Sequence, residues 1–210
     1  GTGEGWSYAD AVRGQGIWKS LNGGTSFTQL AASTGFFYVN DLVVASNGDV
    51  YVATRFFGLQ KSTEGGATVS PVLSTSESGL NLSSAATFAS NNRMGDLEIG
   101  ADGDLYVSNY GEVWKSDAAT YGVNTGDAGN WVRIFPPSSG TGSSSSIDRL
   151  EMAVAPSDAN RLYILGEGVG SNDVTEMYRS ENVSGDPLSS APTYTTLTIP
   201  TISDQGAGGL

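Results

Sequence analysis

Ile17-Trp18-Lys19-Ser20, Leu59-Gln60-Lys61-Ser62, Val113-Trp114-Lys115-Ser116 and Met177-Tyr178-Arg179-Ser180 are four versions of one string. Each runs apolar, mostly aromatic, basic, serine. Successive serines lie 42, 54 and 64 residues apart. A string recurring at such intervals marks a repeat architecture, and the first interval suits one four-stranded unit.

The residues upstream repeat too. Asp41-Leu42-Val43-Val44-Ala45 leads through Ser46-Asn47-Gly48-Asp49 into Val50-Tyr51-Val52-Ala53-Thr54. Asp96-Leu97-Glu98-Ile99-Gly100 leads through Ala101-Asp102-Gly103-Asp104 into Leu105-Tyr106-Val107-Ser108, and Leu150 to Val154 leads through Ala155–Asn160 into Leu162-Tyr163-Ile164-Leu165. Asn-Gly and Asp-Gly supply the positive φ angles of tight hairpins. The aromatic-basic-serine string is then a third strand. A short outer strand follows at Phe27 to Leu30, Val69 to Leu73, Trp131 to Phe135 and Tyr194 to Ile199. Four-stranded antiparallel sheets in series are the blades of an all-β propeller. Residues 118–130 and 182–193 read as lengthened turns, and residues 74–92 and 136–146 as loops between blades. No segment shows sustained helical periodicity.

Composition agrees with many short strands: 29 glycines and only 15% charged residues in 210. The net charge is −12, and the ten basic residues are spread singly, so neither nucleic acid nor an anionic membrane is an expected partner. The absence of cysteine and histidine rules out disulfides, thiolate or imidazole metal sites and a Ser-His-Asp triad. No apolar run reaches the roughly 18 residues of a spanning helix, and no signal peptide is visible. The chain begins at Gly1 rather than Met, as expected of a processed product or a piece.

Ser20-Leu21-Asn22-Gly23-Gly24-Thr25-Ser26-Phe27 resembles the Asp-box, or bacterial neuraminidase repeat, Ser-x-Asp-x-Gly-x-Thr-Trp. Asn22 departs from the aspartate and Phe27 from the tryptophan. Ser62-Thr63-Glu64-Gly65-Gly66-Ala67-Thr68-Val69 is similar, with Glu64 at the Asp position. Ser116 opens a third copy closed by Gly129-Asn130-Trp131, and Ser180-Glu181-Asn182 a degraded fourth. The resemblance extends to sialidases, sortilin-type receptors, xyloglucanases and photosystem II assembly factors. It is greatest to secreted proteins of Bacteroidetes-type bacteria, many of them exported by type IX secretion. It implies structural roles for Ser20, Asn22, Gly24, Phe27, Ser62, Glu64, Gly66, Ser116, Trp131 and Ser180, with the aromatic residue buried between sheets.

The blade register places residues 1–31 in a partial blade, 37–73, 94–135 and 147–199 in full ones, and 201–210 in a tail or the start of another. About three and a half blades imply part of a larger ring, completed by the remainder of the same propeller or another chain. Loops between second and third strands, with those between blades, should share one face. That face collects the ligand-binding candidates Trp6, Tyr8, Arg13, Arg55, Phe56, Tyr110 and Glu112, together with Asp10, Phe36, Phe37, Tyr38, Phe57, Asn109 and Glu167. Buried inter-blade packing is the favoured reading of the aromatics.

Asp41, Asp96 and Asp148 begin or precede successive inner strands. A cation site or catalytic carboxylates is one reading, and capping of backbone amides at the channel rim is the favoured one. Asp102-Gly103-Asp104 hints at calcium, although a hairpin turn explains it, and no cofactor is expected. Lys19, Lys61, Lys115 and Arg179 hold one equivalent position per blade, read as solvated side chains rather than a ligand ring.

These features favour an extracellular or cell-surface module that binds protein or glycan without catalysis. The alternative is a fragment of a glycoside hydrolase. A sialidase-like set would draw on Arg13, Arg55 and Arg149 with Tyr110 and Glu112, but the family's Arg-Ile-Pro motif is absent. A xyloglucanase-like pair of aspartates would need a second propeller.

Overall fold

The computed structural model describes residues 1–5, 11–73, 93–136, 147–169 and 173–200. The tail 201–210 and the loops 74–92 and 137–146 lie outside them. Three antiparallel four-stranded sheets follow one another along the chain, each in sequential order. The second blade holds β3 (Val39–Val44), β4 (Val50–Thr54), β5 (Leu59–Ser62) and β6 (Ser70–Leu73). The third holds β7 (Leu97–Ile99), β8 (Leu105–Asn109), β9 (Glu112–Ser116) and β10 (Val132–Phe135). The fourth holds β11 (Ile147–Val154), β12 (Leu162–Gly168), β13 (Val174–Ser180) and β14 (Thr195–Thr196). The first blade is represented by β1 (Trp18–Lys19) paired with β2 (Thr28–Gln29). The lengthened turn after β9 contains one helical turn, α1 (Ala118–Tyr121), because the Asp117 carboxylate caps it by accepting the Thr120 N–H at 2.7 Å.

Period-two alternation assigns every strand residue to a leading face, toward the next blade, or a trailing face. Ile17 of the first blade packs with Leu42, Val50 and Val52 of the second. Tyr51, Ala53 and Leu59 then pack on Leu97, Leu105, Val107, Trp114 and Trp131 of the third. Tyr106 and Val113 pack in turn on Leu150, Met152, Leu162, Ile164 and Tyr178 of the fourth. The hydrophobic core therefore lies between blades, in three slabs. Each large side chain buried there contributes on the order of 2 kcal/mol.

Polar struts cross the same slabs. The lysines of the first three third strands reach over the next blade's turn: Lys19 Nζ donates to the Gly65 carbonyl at 3.0 Å, and Lys61 Nζ to that of Thr125 at 3.4 Å. Lys115 Nζ donates to the carbonyls of Val183 and Gly185 at 2.9 and 2.7 Å. Carboxylates of the lysine's own blade neutralise it, Asp49 at 3.0 Å from Lys61 and Asp104 and Asp117 at 2.6 and 2.9 Å from Lys115. Lys61 also meets Asp127 of the next blade at 2.6 Å. The expectation of solvated lysines fails for these two, which are 7% and 0% exposed. A buried ammonium is tolerated only when matched in this way. Lys19, by contrast, is exposed, as its reading anticipated.

The turns that receive the lysines are built by the repeated serine. Ser20, Ser62 and Ser116 Oγ each accept a glycine N–H at 2.8 Å, from Gly24, Gly66 and Gly126 respectively. Asn22 Oδ1 accepts the Ser26 N–H at 2.9 Å. Gly126 has φ +76, and a Cβ there would lie 2.4 Å from the Tyr51 ring of the preceding blade, so no other residue fits. Ser180 makes a weaker contact, 3.4 Å from the Asn182 N–H. Phe27 departs from its expected burial: it is 59% exposed, whereas Trp131 at the equivalent position is 4% exposed. The difference is the neighbour: Trp131 packs with Tyr51, Ala53 and Leu59 of the preceding blade, whereas among the described residues no such blade stands against Phe27.

At the inner strands a carboxylate makes the corresponding link. Asp41 Oδ2 accepts the Leu97 N–H at 3.0 Å, and Asp96 Oδ2 the Met152 N–H at 2.6 Å, each one blade onward. Counted back from the hairpin turns, the third equivalent is Glu151 rather than Asp148. Burial pushes Asp96 up from 3.8 to about 7, against the Met152 hydrogen bond and helped by Glu151, Glu98 and Asp41. Burial and then Asp41 also raise Glu98.

Two outcomes follow for stability. Lys115→Met strands two buried carboxylates and should cost about 3–5 kcal/mol in urea denaturation, whereas Lys19→Met, on an exposed site, should change stability by about 0.5 kcal/mol or less. The folded state holds the Asp96 proton more tightly than the unfolded chain does. Stability from that group is therefore full below pH about 4 and lost as pH rises to about 7. Asp96→Asn should reduce the difference in unfolding free energy between pH 4.5 and 8, read by urea denaturation, by about 1–2 kcal/mol, discounted because solvent reaches the carboxylate. An unchanged slope would place the raised proton affinity elsewhere.

Candidate functional site

The end of the arc opposite the serine turns carries an aromatic and arginine surface. Its frame is the β4–β5 turn. Thr54 Oγ1 donates to the Gly58 carbonyl at 2.7 Å and accepts the Phe57 N–H at 3.0 Å, while Gln60 Nε2 donates to the Phe57 carbonyl at 2.5 Å. These bonds hold Arg55, Phe56 and Phe57 outward on a fixed backbone. The segment entering β3 comes alongside through the Arg55 N–H, which donates to the Tyr38 carbonyl at 3.2 Å.

Tyr38 and Phe56 meet edge to face with centroids 5.7 Å apart, and the Arg55 guanidinium carbon lies 5.1 and 5.0 Å from the two rings. Phe36 and Phe57 form a second pair at 5.3 Å, and Arg13 lies 3.4 Å over the ring of Phe37. Phe56 and Phe57 are 43% and 45% exposed, so the rings are not consumed as inter-blade core. Phe36, at 6%, is core, as the inter-blade reading of the aromatics had it. At these distances each guanidinium is within cation–π range of a ring, which favours keeping it at this face.

A second group borders the first. The Met94 N–H donates to the Thr54 carbonyl at 2.9 Å, bringing the third blade's entry beside that turn. Arg93 lies 4.9 Å over the Tyr110 ring and 3.9 Å from Asp148. Tyr110 has φ +49, an unusual conformation for a tyrosine, at the tip of the β8–β9 turn.

Several expected residues fall elsewhere. Trp6, Tyr8 and Asp10 lie outside the described residues. Glu112 is 5% exposed and serves the interior: it is 2.9 Å from Arg133 and accepts the Trp114 indole N–H at 3.3 Å. Asn109 is buried in β8. Arg149 pairs with Glu151 on the fourth blade. Asp148 does not join Asp41 and Asp96, whose carboxylates hold backbone N–H groups. Among the described residues no group of three or more Asp or Glu is arranged to hold a metal ion. Within Asp102-Gly103-Asp104, the Asp104 carboxylate is taken by Lys115. Arg93 was missed because it stands at the end of a serine-rich stretch with no repeat partner. Glu151 is in register with Asp41 and Asp96 only when the inner strands are aligned on their hairpin turns instead of their starts.

No protein-family model matches the sequence, and neither does any curated protein. Solved structures do. The GH74 xyloglucanase from Xanthomonas campestris superposes with a TM-score of 0.55 at 20% identity, over 89% of this chain and 27% of that one. The Niastella koreensis GH74 enzyme gives 0.53 at 20%, over 86% and 26%. YCF48 bound to D1 peptide gives 0.48 at 16%, over 89% and 48%. The chain thus spans about a quarter of the length of the two GH74 proteins. At such identities what is shared is the fold, and the chain is an open arc of β-propeller blades.

Proposed function

We propose that this chain is a binding module that recognises a neutral glycan on its loop face, without catalysis of its own, at the cell surface or outside the cell. The observation that carries the reading is the Arg55 guanidinium packed against the Tyr38–Phe56 pair, with Phe56 partly exposed. Rigid rings offer apolar area to the C–H faces of sugars, and the guanidinium edge offers hydrogen bonds to hydroxyl groups. The net charge of −12 disfavours an acidic ligand and leaves an uncharged one unopposed. The repeat itself, with its Asp-box-like turns, would serve as scaffold, since function sits in sites grafted on folds.

Hydrolysis is the second reading, favoured by one observation: the Asp96 carboxyl, at about 7, would suit a general acid. Against it, that carboxylate is engaged with the next blade's backbone. The GH74 likeness makes xyloglucan oligosaccharides the first probes for both readings.

Titration calorimetry or glycan-array binding with xyloglucan and other neutral oligosaccharides should show saturable binding that weakens at least about tenfold in Arg55→Ala and in Phe56→Ala, roughly 1.4 kcal/mol or more, with urea midpoints unchanged. Equal binding by wild type and both variants would refute the site. Turnover of the same sugars that disappears in Asp96→Asn would favour the hydrolase.

A further inference from the structure

The turn after β9 builds something that the turns after β1 and β5 do not. From the serine to the glycine whose N–H it accepts, the first and second blades need four residues and the third needs ten. The extra residues form α1 and a 3-10 turn, Gly122–Asn124, and they are fastened at both ends. At the start the Ala118 N–H donates to Asp104 Oδ1 at 2.6 Å, and Ala118 packs over Gly103. At the finish the Thr125 carbonyl accepts the Tyr51 hydroxyl at 2.8 Å. Between these anchors lies a cavity of about 320 Å³, set between the β3–β4 turn of the second blade and the β7–β8 turn of the third. Buried Tyr51 and Leu105 floor it, Ala45 and Ala118 stand at its sides, and Asp102 and Val123 stand exposed at its rim. Its lining comes from the two middle blades, away from both ends of the arc and from the loop face.

Asp102 carries the only charge in that lining. Its Oδ1 accepts the Asp104 N–H at 3.2 Å, and among the described residues no cation pairs with it. The lysines nearby are spent, Lys61 on Asp49 and Asp127 and Lys115 on Asp104 and Asp117. Five carboxylates around the cavity thus stand against two ammonium groups, an excess of three negative charges in a chain of net charge −12. An anion is repelled here. One free carboxylate is too few for a metal ion, and Tyr51, 1% exposed, offers no open ring to a sugar. A cation on an aliphatic stem fits: its methylenes suit the alanine, leucine and valine side chains, and its head reaches Asp102. Val123 points to where that cation comes from. At 89% exposed it stands too far out to be covered by a molecule small enough to sit inside the cavity. An apolar side chain beside the basic one would cover it. We propose that this cleft takes the lysine or arginine side chain of a partner polypeptide, with an apolar neighbour of that residue packing on Val123. The chain's negative charge steers a basic segment toward it. The site does not depend on the glycan reading, which concerns the opposite end of the blades.

The test is a titration of the isotope-labelled chain with acetyl-Ala-Lys-Val-Ala-amide and its arginine analogue, followed by amide chemical shifts. Saturable shifts are expected at residues 45–47, 102–105 and 118–125. The same peptide with glutamine in place of lysine should bind at least about tenfold more weakly, as should the lysine peptide to Asp102→Asn. Raising salt from about 20 to about 200 mM should weaken the lysine peptide as well, since the rim is open to solvent. Val123→Lys puts a cation at the rim on an exposed position that folding does not use, and it should abolish binding even if Asp102→Asn disturbs the turn. Urea midpoints identify any variant that fails to fold. Both variants should bind xyloglucan as the wild type does, which separates this site from the loop face. No saturable shift with either basic peptide overturns the proposal, as does equal binding of the glutamine peptide or of both variants. Free n-butylamine binding as tightly as the lysine peptide would make the cleft a small-amine site and overturn the polypeptide partner.

Discussion

Lys115 Nζ sits out of reach of solvent among two carboxylates of its own blade and two carbonyls of the next. The rest of the arc depends on this kind of contact. Leading and trailing faces of a blade are apolar, and apolar burial alone is non-directional. Two flat apolar faces would slide over one another at little cost. A buried ammonium that must meet specific carbonyls fixes the lateral register of one blade on the next. Asp41 and Asp96 do the same near the inner strands, so each complete slab is pinned at two radii. The serine-built turn is the socket: Ser116 and Gly126 shape the loop that offers the Thr125 carbonyl to both Lys61 and Tyr51.

That division of labour explains which parts of the fold were legible in the sequence. Hairpins and third strands could be read because their determinants are local: Asn-Gly and Asp-Gly turns, and a two-residue period of apolar side chains. The β5 string Leu59–Ser62 coincides with its observed strand for this reason. The struts were not legible, because their partners lie one blade away in sequence. A lysine just before a serine looks solvated unless its cross-strand neighbour Tyr51 or Tyr106 and the flanking Asp49 or Asp104 are considered together. The exposure of Phe27 was hidden likewise, since it depends on what does or does not stand in front of the first blade.

The candidate site was half legible. Arg55, Phe56 and Tyr110 stand on second-to-third strand turns, and a regular blade register is enough to place such turns on one face. Glu112 shares that register but turned inward to Arg133 and Trp114, a choice made by tertiary packing. Arg93 was invisible because inter-blade segments have no repeat to align. The struts and the site lie at opposite ends of the blades, so the lysine end can be rigid while the loop end varies in sequence. Propellers use this separation to host unrelated functions on one scaffold.

The account stands most directly on cross-blade coupling between Lys61 of the second blade and Asp127 of the third, 2.6 Å apart. A double-mutant cycle with Lys61→Met and Asp127→Asn, read by urea denaturation, isolates that pair from its neighbours. A coupling energy of about 1 kcal/mol or more is predicted, since the lysine is buried and the bond spans two blades. Additive single-mutant losses, with coupling near zero, would mean that this buried cross-blade ion pair does not hold the two blades in register and would contradict the account.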